Sequence, residues 1–474
     1  MQPESAPEAI PPRTVVATEA LVGELSSEVG PEGVSAHPDV DLAGVRPAVR
    51  VTPGNVERLA AILALATRRG WGVCPSGGGT KLDWGNPPRR ADLLVCTGDL
   101  GGVVELDPDD LSVSVQAGTP VATVVAAARA AGVVAPLDPD VPGWATVGGV
   151  VAANDQGARR LRYGGLRDVV LGMTAVLADG TRVKFGGRTM KNVTGYDLTK
   201  LFVGSLGVLG VITGVTFRLL PRPVASAVVA LQCDTLEQAA ELAAGVLDSV
   251  LEPIALEVLS PAAGPLVDPD ATGRDYTLLA GFEGHPAAVE RSADEMMRSH
   301  RALVAQGRRE VLRASEVANV PGHTPDGAPG SDPVEAVFGS LADLRRRATV
   351  AGLPLVAKVT SPPAHVWSLA RAAEVEAAGA GAPCAYRISA GSGILHLHLG
   401  AGAGPTRTTA CLAELRRQAA TFGGHVVVRP GATRLNPSFD VWGDVGGSVR
   451  VMRALKAQFD PAGTLNPGRF VGGI

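Results

Sequence analysis

Pro75-Ser76-Gly77-Gly78-Gly79-Thr80-Lys81 is the stretch of sequence that decides the fold. It comes at the end of a run typical of a strand, residues 72–75. Three consecutive residues without side chains allow backbone N–H groups to converge on an anion, and the neighbouring hydroxyl groups add to this. The stretch therefore has the composition that a pyrophosphate group needs.

Two more glycine-rich turns follow in the same segment. They are Ala145-Thr146-Val147-Gly148-Gly149 and Gly204-Ser205-Leu206-Gly207-Val208-Leu209-Gly210. A single glycine cluster is typical of an ordinary loop. Each of these three clusters follows a strand-like run, and the second again combines glycines with a hydroxyl group. We interpret the first two as one dinucleotide site, with backbone amides around Gly78 and Gly148 as the donors to its paired phosphates.

The composition is that of a globular protein with two or three domains, because the chain has 474 residues and 46% of them are apolar. The 43 basic and 47 acidic residues give a formal net charge of -4. This balance offers no electrostatic reason to expect a nucleic acid or an anionic membrane as a partner.

Cysteine usage and the N-terminal sequence favour a reducing, cytoplasmic location. The five cysteines are scattered without a C-x-x-C pair, which argues against an iron–sulfur cluster, a structural zinc site and a disulfide framework. No apolar run reaches the roughly 18 residues of a transmembrane helix. Residues 1–13 lack the basic start and apolar core of a signal peptide.

Strand and helix signals alternate between residues 46 and 221. Thr52-Pro53 and Thr119-Pro120 are predicted N-terminal caps of two helices, which end at Gly70 and Gly132. Ala178-Asp179-Gly180-Thr181 predicts a hairpin turn. The predicted strands form two sheets with the pyrophosphate between them: 48–51, 72–75, 92–96, 103–106, 112–116, 169–177, 182–185 and 211–219.

Pro221 and Pro223 indicate a domain boundary, because neither residue can donate a ladder hydrogen bond and both stiffen the chain. Strand and helix patterns alternate again over residues 222–420. They are interrupted by the Gly-, Pro- and Asp-rich residues 321–333, which we predict to be an exposed loop. We predict that residues 222–420 form an α/β cap domain over the cofactor.

The two ends of the chain differ in character. Residues 1–45 are rich in Pro, Glu, Ala and Ser, and predict a flexible lead-in with one short helix at 18–29. Residues 421–474 are predicted to pack back onto the first domain. Their turn-rich stretch at 459–470 is too apolar at its ends to remain in solvent.

Read in order, these motifs resemble the vanillyl-alcohol-oxidase-type (PCMH-type) FAD-binding oxidoreductases, and within them the FAD-binding E subunits of glycolate oxidases. The resemblance is strong over residues 46–221, clear over the dozen residues 459–470 and weak in the region between these two. It implies an α+β fold, with a two-subdomain PCMH-type FAD-binding domain at 46–221, the cap domain, and a C-terminal segment that returns to the flavin. The motifs that carry it are residues 75–81, 145–154, Lys191-Asn192-Val193-Thr194-Gly195-Tyr196-Asp197-Leu198, 201–213 and 459–470.

The resemblance also implies roles for individual residues. The first loop lies around the FAD pyrophosphate, the second continues under the isoalloxazine ring, one strand meets the adenine, and a tail amide lies near the flavin, as do Tyr163 and Lys191. The plain alternatives are a tight turn at Gly77 to Gly79, a loop cap at Asn154, and close packing at the third glycine turn. The residues of the first loop are Pro75, Gly77, Gly78, Gly79 and Thr80, and those of the second loop are Thr146, Gly148, Gly149 and Asn154. The strand that meets the adenine contains Val211 and Ile212, and the tail amide is that of Asn466.

The sequence departs from the family pattern where some members attach FAD covalently. Thr80 stands where such members have a histidine in the first loop, and residues 144–154 contain no cysteine. We therefore expect FAD to be bound noncovalently.

A second departure concerns a metal. Related D-2-hydroxy-acid dehydrogenases carry a His-x-Gly-Asp-Gly-Asn-x-His strand and a later Glu-His pair that hold a divalent ion. The corresponding run here is Ser389-Ala390-Gly391-Ser392-Gly393-Ile394-Leu395-His396, and the later pair falls near Arg429-Pro430. His396 and His398 lie two apart on a strand and point the same way, which is too few ligands for a metal site. We expect no metal.

The candidate catalytic residues are His396, Lys358 and Arg387. Oxidation of a 2-hydroxy acid requires a base for the hydroxyl group and a cation for the carboxylate. Lys358 and Arg387 are candidates for the cation, although such residues are more often salt-bridged or exposed. His396 is either catalytic or part of a polar stripe on a half-buried strand.

The resemblance favours an FAD-binding subunit of a 2-hydroxy-acid (glycolate-type) dehydrogenase complex. Its implied partners are a small 2-hydroxy acid, a second flavin subunit and an iron–sulfur subunit, since this chain has no cysteine motif for a cluster. One alternative is a stand-alone FAD oxidoreductase that acts on another alcohol. Another is a noncatalytic accessory subunit that contains FAD.

Overall fold

The computed structural model describes residues 18–189, 196–303, 309–315, 333–402, 404–431, 435–436 and 438–474.

A small sheet carries the first glycine turn. The sheet has the order β1-β2-β4-β3, in which β4 pairs in parallel with both β2 and β3. Its elements, with two helices, are α1 (Thr18–Val29), β1 (Val34–Ala36), β2 (Val49–Val51), α2 (Val56–Arg69), β3 (Val73–Ser76) and β4 (Leu93–Cys96).

The helix α2 packs on this sheet through one buried face. It ends at Gly70, which has a left-handed φ of 66° and is the predicted end. The predicted cap at Thr52-Pro53 is wrong, because the Asn55 side chain accepts the Arg58 N–H at 2.8 Å. Gly54 has a φ of 75°, so the helix cannot begin before it.

A second, antiparallel sheet has the order β5-β6-β10-β8-β9. The hairpin turn predicted at 178–181 joins β8 to β9 and is confirmed by the bond from Leu177 N–H to the Thr181 carbonyl, 2.9 Å. Thr119 does not cap α3, because its hydroxyl accepts the Gly102 N–H at 2.8 Å. The elements are β5 (Val103–Asp107), β6 (Ser112–Gln116), α3 (Val121–Ala130), β7 (Val133–Val134), α4 (Val147–Ala153), α5 (Arg160–Tyr163), α6 (Leu166–Val169), β8 (Val170–Val176), β9 (Arg182–Gly186), α7 (Thr199–Phe202), β10 (Val211–Arg218) and β11 (Leu220–Pro221).

An antiparallel sheet of eight strands forms the rest of the fold, in the order β15-β12-β14-β13-β17-β18-β16-β19. One face of this cap sheet is apolar and packs on α8, α10, α12 and α13. The other face packs on α9 and α11 and turns toward the first domain. The elements are β12 (Ala225–Cys233), α8 (Leu236–Leu247), β13 (Ala255–Leu259), α9 (Gly264–Val267), β14 (Tyr276–Gly284), α10 (Pro286–Leu303), β15 (Arg309–Ser315), α11 (Pro333–Val350), β16 (Leu355–Thr360), α12 (Val366–Gly379), β17 (Cys384–Ser389), β18 (Ile394–Leu399), α13 (Pro405–Thr421) and β19 (His425–Arg429).

The cap sheet extends past the domain end predicted at residue 420, because β19 pairs with β16 along its whole length. A short β-ribbon of β7 and β11 precedes the cap domain at Pro221. Residues 321–332 of the predicted loop lie outside the described residues. Across the described ranges, no helix is both long enough and apolar enough to cross a bilayer.

The C-terminal segment returns to the first sheet, as expected. After α14 (Ser448–Phe459), the chain bonds β3 twice, from Val73 N–H to the Thr464 carbonyl and from Asn466 N–H to the Val73 carbonyl, each 2.8 Å. Asp460 fixes the turn between α14 and the residues that are bonded to β3. Its buried carboxylate accepts the Leu465 N–H at 2.7 Å and the Lys456 ammonium at 2.5 Å.

We expect Asp460→Ala to lower the free energy of unfolding by about 3 kcal/mol, because it leaves the largely buried Lys456 without its partner anion. Urea unfolding followed by tryptophan fluorescence measures the loss. Asp294→Ala, at an exposed position on α10, is the matched control and should change stability by less than about 0.5 kcal/mol. Equal stability of the two variants would contradict the role of Asp460.

Candidate functional site

A cleft lies between the two sheets of the first domain and is closed at one end by the C-terminal segment. Its walls are the first glycine turn, the beginning of α4, the third glycine turn with the start of β10, and the tail. The predicted cofactor residues that line it are Pro75, Gly77, Gly78, Gly79, Thr80, Thr146, Gly148, Gly149, Val211, Ile212 and Asn466.

The first two glycine turns touch each other across the cleft floor. A Cβ atom on Gly78 would lie 1.8 Å from the Trp144 carbonyl oxygen, and one on Gly77 would lie 2.0 Å from the Thr146 hydroxyl oxygen. Neither position can therefore carry a side chain without movement of the neighbouring loop. The missing side chains leave the main chain of residues 77–79 at the surface of the cleft, with the Gly78 N–H in a long contact of 3.4 Å with the Thr146 hydroxyl oxygen, which fits a pyrophosphate group.

Gly148 lines the cleft, but its own N–H is not a free donor, because it donates to the Ala117 carbonyl at 2.7 Å. A Cβ atom on Gly148 would lie 2.8 Å from the Ala117 Cβ. Gly148 is therefore required for the close packing of α4 on the second sheet. The prediction of phosphate donors around Gly148 then concerns the neighbouring amides of the second turn.

Two predicted cofactor residues are not among those lining the cleft. Asn154 ends α4 with a left-handed φ of 51°, which agrees with its alternative role as a loop cap. Tyr163 donates its hydroxyl hydrogen bond to Glu283 on the cap strand β14 and packs in the interface between the domains. Lys191 lies outside the described residues.

The tail leaves a polar group open toward the cleft. The Asn466 side-chain N–H donates to the Leu206 carbonyl at 2.5 Å, while its buried Oδ1 accepts no hydrogen bond within the described part of the chain. A buried acceptor of this kind calls for a donor from a bound molecule. Together with the open main chain of the first turn, it makes the cleft fit a dinucleotide such as FAD.

A second cavity lies on the polar face of the cap sheet. The three predicted catalytic residues stand side by side there, because His396 on β18 pairs in register with Arg387 on β17 and with Lys358 on β16. His396 and Arg387 line the cavity. The other lining residues are Asp140, Leu341, Leu344, Arg345, Val356, His398 and Arg429.

The second cavity and the cleft are adjacent. Arg345, on α11, donates to the Thr80 carbonyl at 3.2 Å. Lys81 donates to the Asp140 carbonyl at 3.4 Å and forms a buried ion pair with Asp155 at 2.8 Å. The first glycine turn thus lines the dinucleotide cleft and is hydrogen-bonded to Arg345 and Asp140, which line the cap-domain cavity.

The cavity is strongly cationic. The Arg429 guanidinium lies 3.2 Å from the centre of the Trp84 ring and 3.5 Å from Asp140. Arg345 lies 3.5 Å from Asp83. These ion pairs are long, so the arginines retain capacity to bind another anion. Lys358 has no ion pair among the described residues.

Burial and the neighbouring cations shift the titrating groups. Desolvation, followed by the charges of Arg387 and Lys358, holds the pKa of His396 well below its usual value. Desolvation, followed by the charges of Arg387, Arg345 and Arg429, lowers the pKa of His398 to about 3. Burial, with Arg429 and Arg160, lowers the pKa of Lys358 to about 8. At neutral pH both histidines are therefore uncharged and Lys358 titrates in an accessible range.

Sequence reasoning missed Arg345 and Arg429, which line the cap-domain cavity. Arg345 belongs to an Arg-Arg-Arg run, and only the helix face shows that Arg346 turns away and pairs with Asp343. Among the described residues, no group of three or more His, Cys, Asp or Glu side chains is placed to hold a metal ion.

We expect Gly78→Ala to weaken FAD binding by about tenfold or more, because the added methyl group must displace the Trp144 backbone. Isothermal titration of the apoprotein with FAD measures the change. Gly98→Ala is the matched control, since its Cβ would meet nothing within 4 Å. Unchanged affinity of Gly78→Ala for FAD would contradict the assignment of the cleft.

Two family models match the chain. One is the FAD binding domain, over residues 47–186, and the other is the C-terminal domain of FAD linked oxidases, over residues 222–470. The glycolate oxidase subunit GlcD of Bacillus subtilis (strain 168) is 26% identical over 88% of this chain and 88% of its own. The glycolate oxidase subunit GlcE of Escherichia coli (strain K12) is 46% identical over 26% of this chain and 36% of its own.

A solved structure of p-cresol methylhydroxylase with substrate bound has the same fold. It superimposes with a TM-score of 0.70 at 16% identity, and the match covers 95% of this chain and 96% of that one. This agrees with the expected α+β arrangement of a PCMH-type FAD-binding domain and a cap domain. The chain belongs to the FAD-linked oxidase family and is an FAD-dependent oxidoreductase.

Proposed function

We propose that this chain oxidises the CH–OH group of a 2-hydroxy acid, as the FAD-binding subunit of a glycolate-type dehydrogenase complex. The observation that carries the proposal is the cationic cavity against the wall of the FAD cleft. A negatively charged substrate with an oxidisable carbon beside its carboxylate matches that position. The names of the relatives, both glycolate oxidase subunits, support the same substrate class.

The cleft residues would hold FAD through the first glycine turn and through Asn466. Bound FAD supplies an acceptor for the hydride that leaves the alcohol carbon. Thr80 stands where a covalent attachment would need a histidine, and none of the described residues lining the cleft is a cysteine or a histidine. Noncovalent binding therefore stays our prediction.

The cap-domain cavity would hold the acid. Arg345 and Arg429 face it from α11 and β19 and would bind the carboxylate, since guanidinium groups suit planar carboxylates. Arg387, a predicted anchor, is instead tied to Glu257 and the Leu341 carbonyl. The neighbouring His396 and Lys358 would lie by the substrate hydroxyl group.

Loss of the hydroxyl proton requires an acceptor within reach. Two of the predicted catalytic residues are candidates for this acceptor: His396, which lines the cavity, and Lys358, which pairs with His396 in the sheet and has a pKa of about 8. Both remain candidates on the basis of their positions. The apolar packing between the cap sheet, α11 and the first domain would keep water away from them.

We further propose that electrons leave through partner chains, which would be a second flavin subunit and an iron–sulfur subunit. The five cysteines of this chain are free thiols distributed over the fold, so a cluster would have to belong to a partner. Free, mostly buried thiols also support a reducing, cytoplasmic location.

We expect Arg345→Met to raise the KM for the 2-hydroxy acid by about 10- to 100-fold, because it removes a charge-assisted bond to the carboxylate. Anaerobic flavin bleaching by glycolate and D-lactate is the assay, and flavin content is measured in parallel because Arg345 also bonds Thr80. Arg346→Met, one residue along the same helix and facing solvent, is the control. The substrate assignment would be wrong if no 2-hydroxy acid bleached the flavin of the wild-type chain.

Purification from the native source under mild conditions should yield flavin and iron–sulfur chains together with this one. The isolated chain should oxidise 2-hydroxy acids with an artificial dye far below the roughly 10 s⁻¹ that is typical of enzymes. A fully active single chain would instead favour the stand-alone oxidoreductase. An active complex that tolerates loss of both His396 and Lys358 would favour the accessory subunit.

A further inference from the structure

A buried chain of polar contacts runs behind His396, away from the cavity. Glu257 lies on β13, directly opposite Ser389 in the register, and is 1% exposed. Its Oε2 atom accepts the Ser389 hydroxyl at 2.9 Å and lies 3.3 Å from the Arg387 Nε atom. The strands that carry these residues are also paired through their backbones.

Glu257 fixes the direction of the Arg387 guanidinium. With Nε beside Glu257, the two terminal nitrogens point away from it. Nη1 donates to the Leu341 carbonyl at 3.3 Å, and Nη2 lies 3.4 Å from the Nδ1 atom of His396. Strands β13, β17 and β18 are adjacent in the sheet, so this line of contacts crosses three strands.

The contact with Arg387 decides the tautomer of His396. A guanidinium group has only donors, so the Nδ1 atom of His396 must accept. An uncharged imidazole that accepts at Nδ1 carries its hydrogen on Nε2. The Nε2 atom has no hydrogen-bond partner within the described ranges, and the ring lines the cavity. His396 is therefore left with one free donor and no free acceptor.

We propose that Glu257 is a positioning residue that, through Arg387, holds His396 as an Nε2–H donor toward the substrate. His396 then donates a hydrogen bond to the substrate oxygen and does not remove its proton. The statement about the substrate rests on the proposed function, whereas the tautomer does not. The O–H bond of the substrate would break with transfer of its proton to the unprotonated Nζ atom of Lys358, beside His396 in the register.

The charged surroundings agree with this assignment. Arg387 faces His396 from β17, and Lys358 and Arg429 face it from β16 and β19. Addition of a proton to His396 would place a further cation beside Arg387 and Arg429, which keep their charge when Lys358 is unprotonated, so the ring is a poor proton acceptor. The groups around Glu257 are Arg387, Ser389 and Asp138.

Nitrogen NMR of the ¹⁵N-histidine-labelled wild-type chain tests the tautomer without substrate. The signals of His396 are identified by their loss in His396→Asn. We expect a protonated, pyrrole-type Nε2 and an unprotonated, pyridine-type Nδ1 that persist across neutral pH. A protonated Nδ1 in the wild-type chain would overturn the proposal, whatever the activity.

Glu257→Gln tests the positioning role, and Glu241→Gln, on the exposed face of α8, is the matched control. We expect Glu257→Gln to show both tautomers of His396 and a kcat about tenfold lower with KM within about threefold. Ser389→Ala, which removes one contact of Glu257, should show a smaller shift of the same kind if Glu257→Gln does not fold. A single unchanged tautomer in these variants would overturn the role of Glu257.

The same experiments separate the two proposals. If 2-hydroxy acids bleach the flavin but His396 carries its hydrogen on Nδ1, the positioning role is refuted and the proposed function stays intact. The expected tautomer without bleaching by any 2-hydroxy acid would refute the proposed function alone.

Discussion

The contact between the first two glycine turns is the constraint on which the rest of the structure depends. Gly78 lies against the Trp144 carbonyl, and Gly77 against the Thr146 hydroxyl, at separations that exclude a side chain. This contact joins a sheet with parallel strand pairs to an antiparallel one and leaves a cleft at their junction. The tail is then bonded to β3 across the open end, which brings Asn466 to the same cleft. The dinucleotide site is thus a product of close backbone packing, with few side chains involved.

The cap domain, in contrast, contributes side chains to its cavity. Alternation along its strands sends Ala357, Leu395 and Tyr386 to the apolar core, and the residues between them to the face that meets the first domain. That face carries Lys358, His396 and Arg387 in one row. One domain therefore offers main-chain groups to the cofactor, and the other offers charged side chains to whatever lies beside it. The hydrogen bonds from Arg345 to Thr80 and from Lys81 to Asp140 place these two surfaces next to each other.

Local signals in the sequence were sufficient for much of the fold. Helix ends at Gly70, the hairpin at 178–181 and the clustering of the glycine turns follow from short-range backbone chemistry. Gly148 shows the limit of such signals, because its N–H donates to the carbonyl of Ala117, a distant residue of the chain that directly follows β6. Asn154 and Tyr163 are not among the residues that line the cleft, for a related reason. Whether a side chain near a motif reaches the ligand depends on the packing of other elements, here the cap strand β14.

The charged row could not be derived from the sequence, because it depends on strand order. β16 precedes β17 and β18 along the chain, yet β18 lies between the other two in the sheet. Only this arrangement places Lys358 and Arg387 on either side of His396. The sequence likewise does not tell which of the three consecutive arginines faces the cavity. In the structure Arg345 lines the cavity, whereas Arg346 turns away and pairs with Asp343.

Collecting cations on a buried face destabilises the folded chain, and the pKa of Lys358 gives the sign of this effect. Its value falls from 10.5 to about 8 on folding. Between these pH values the unfolded chain binds a proton that the folded chain does not, so this contribution to stability rises with pH. Below pH 8 the full penalty is present. A bound anion would raise the pKa of Lys358 again and remove part of that penalty. The proposed acid substrate would therefore stabilise the folded chain, and oxidation of its hydroxyl carbon to a carbonyl leaves the charge of the neighbouring carboxylate unchanged.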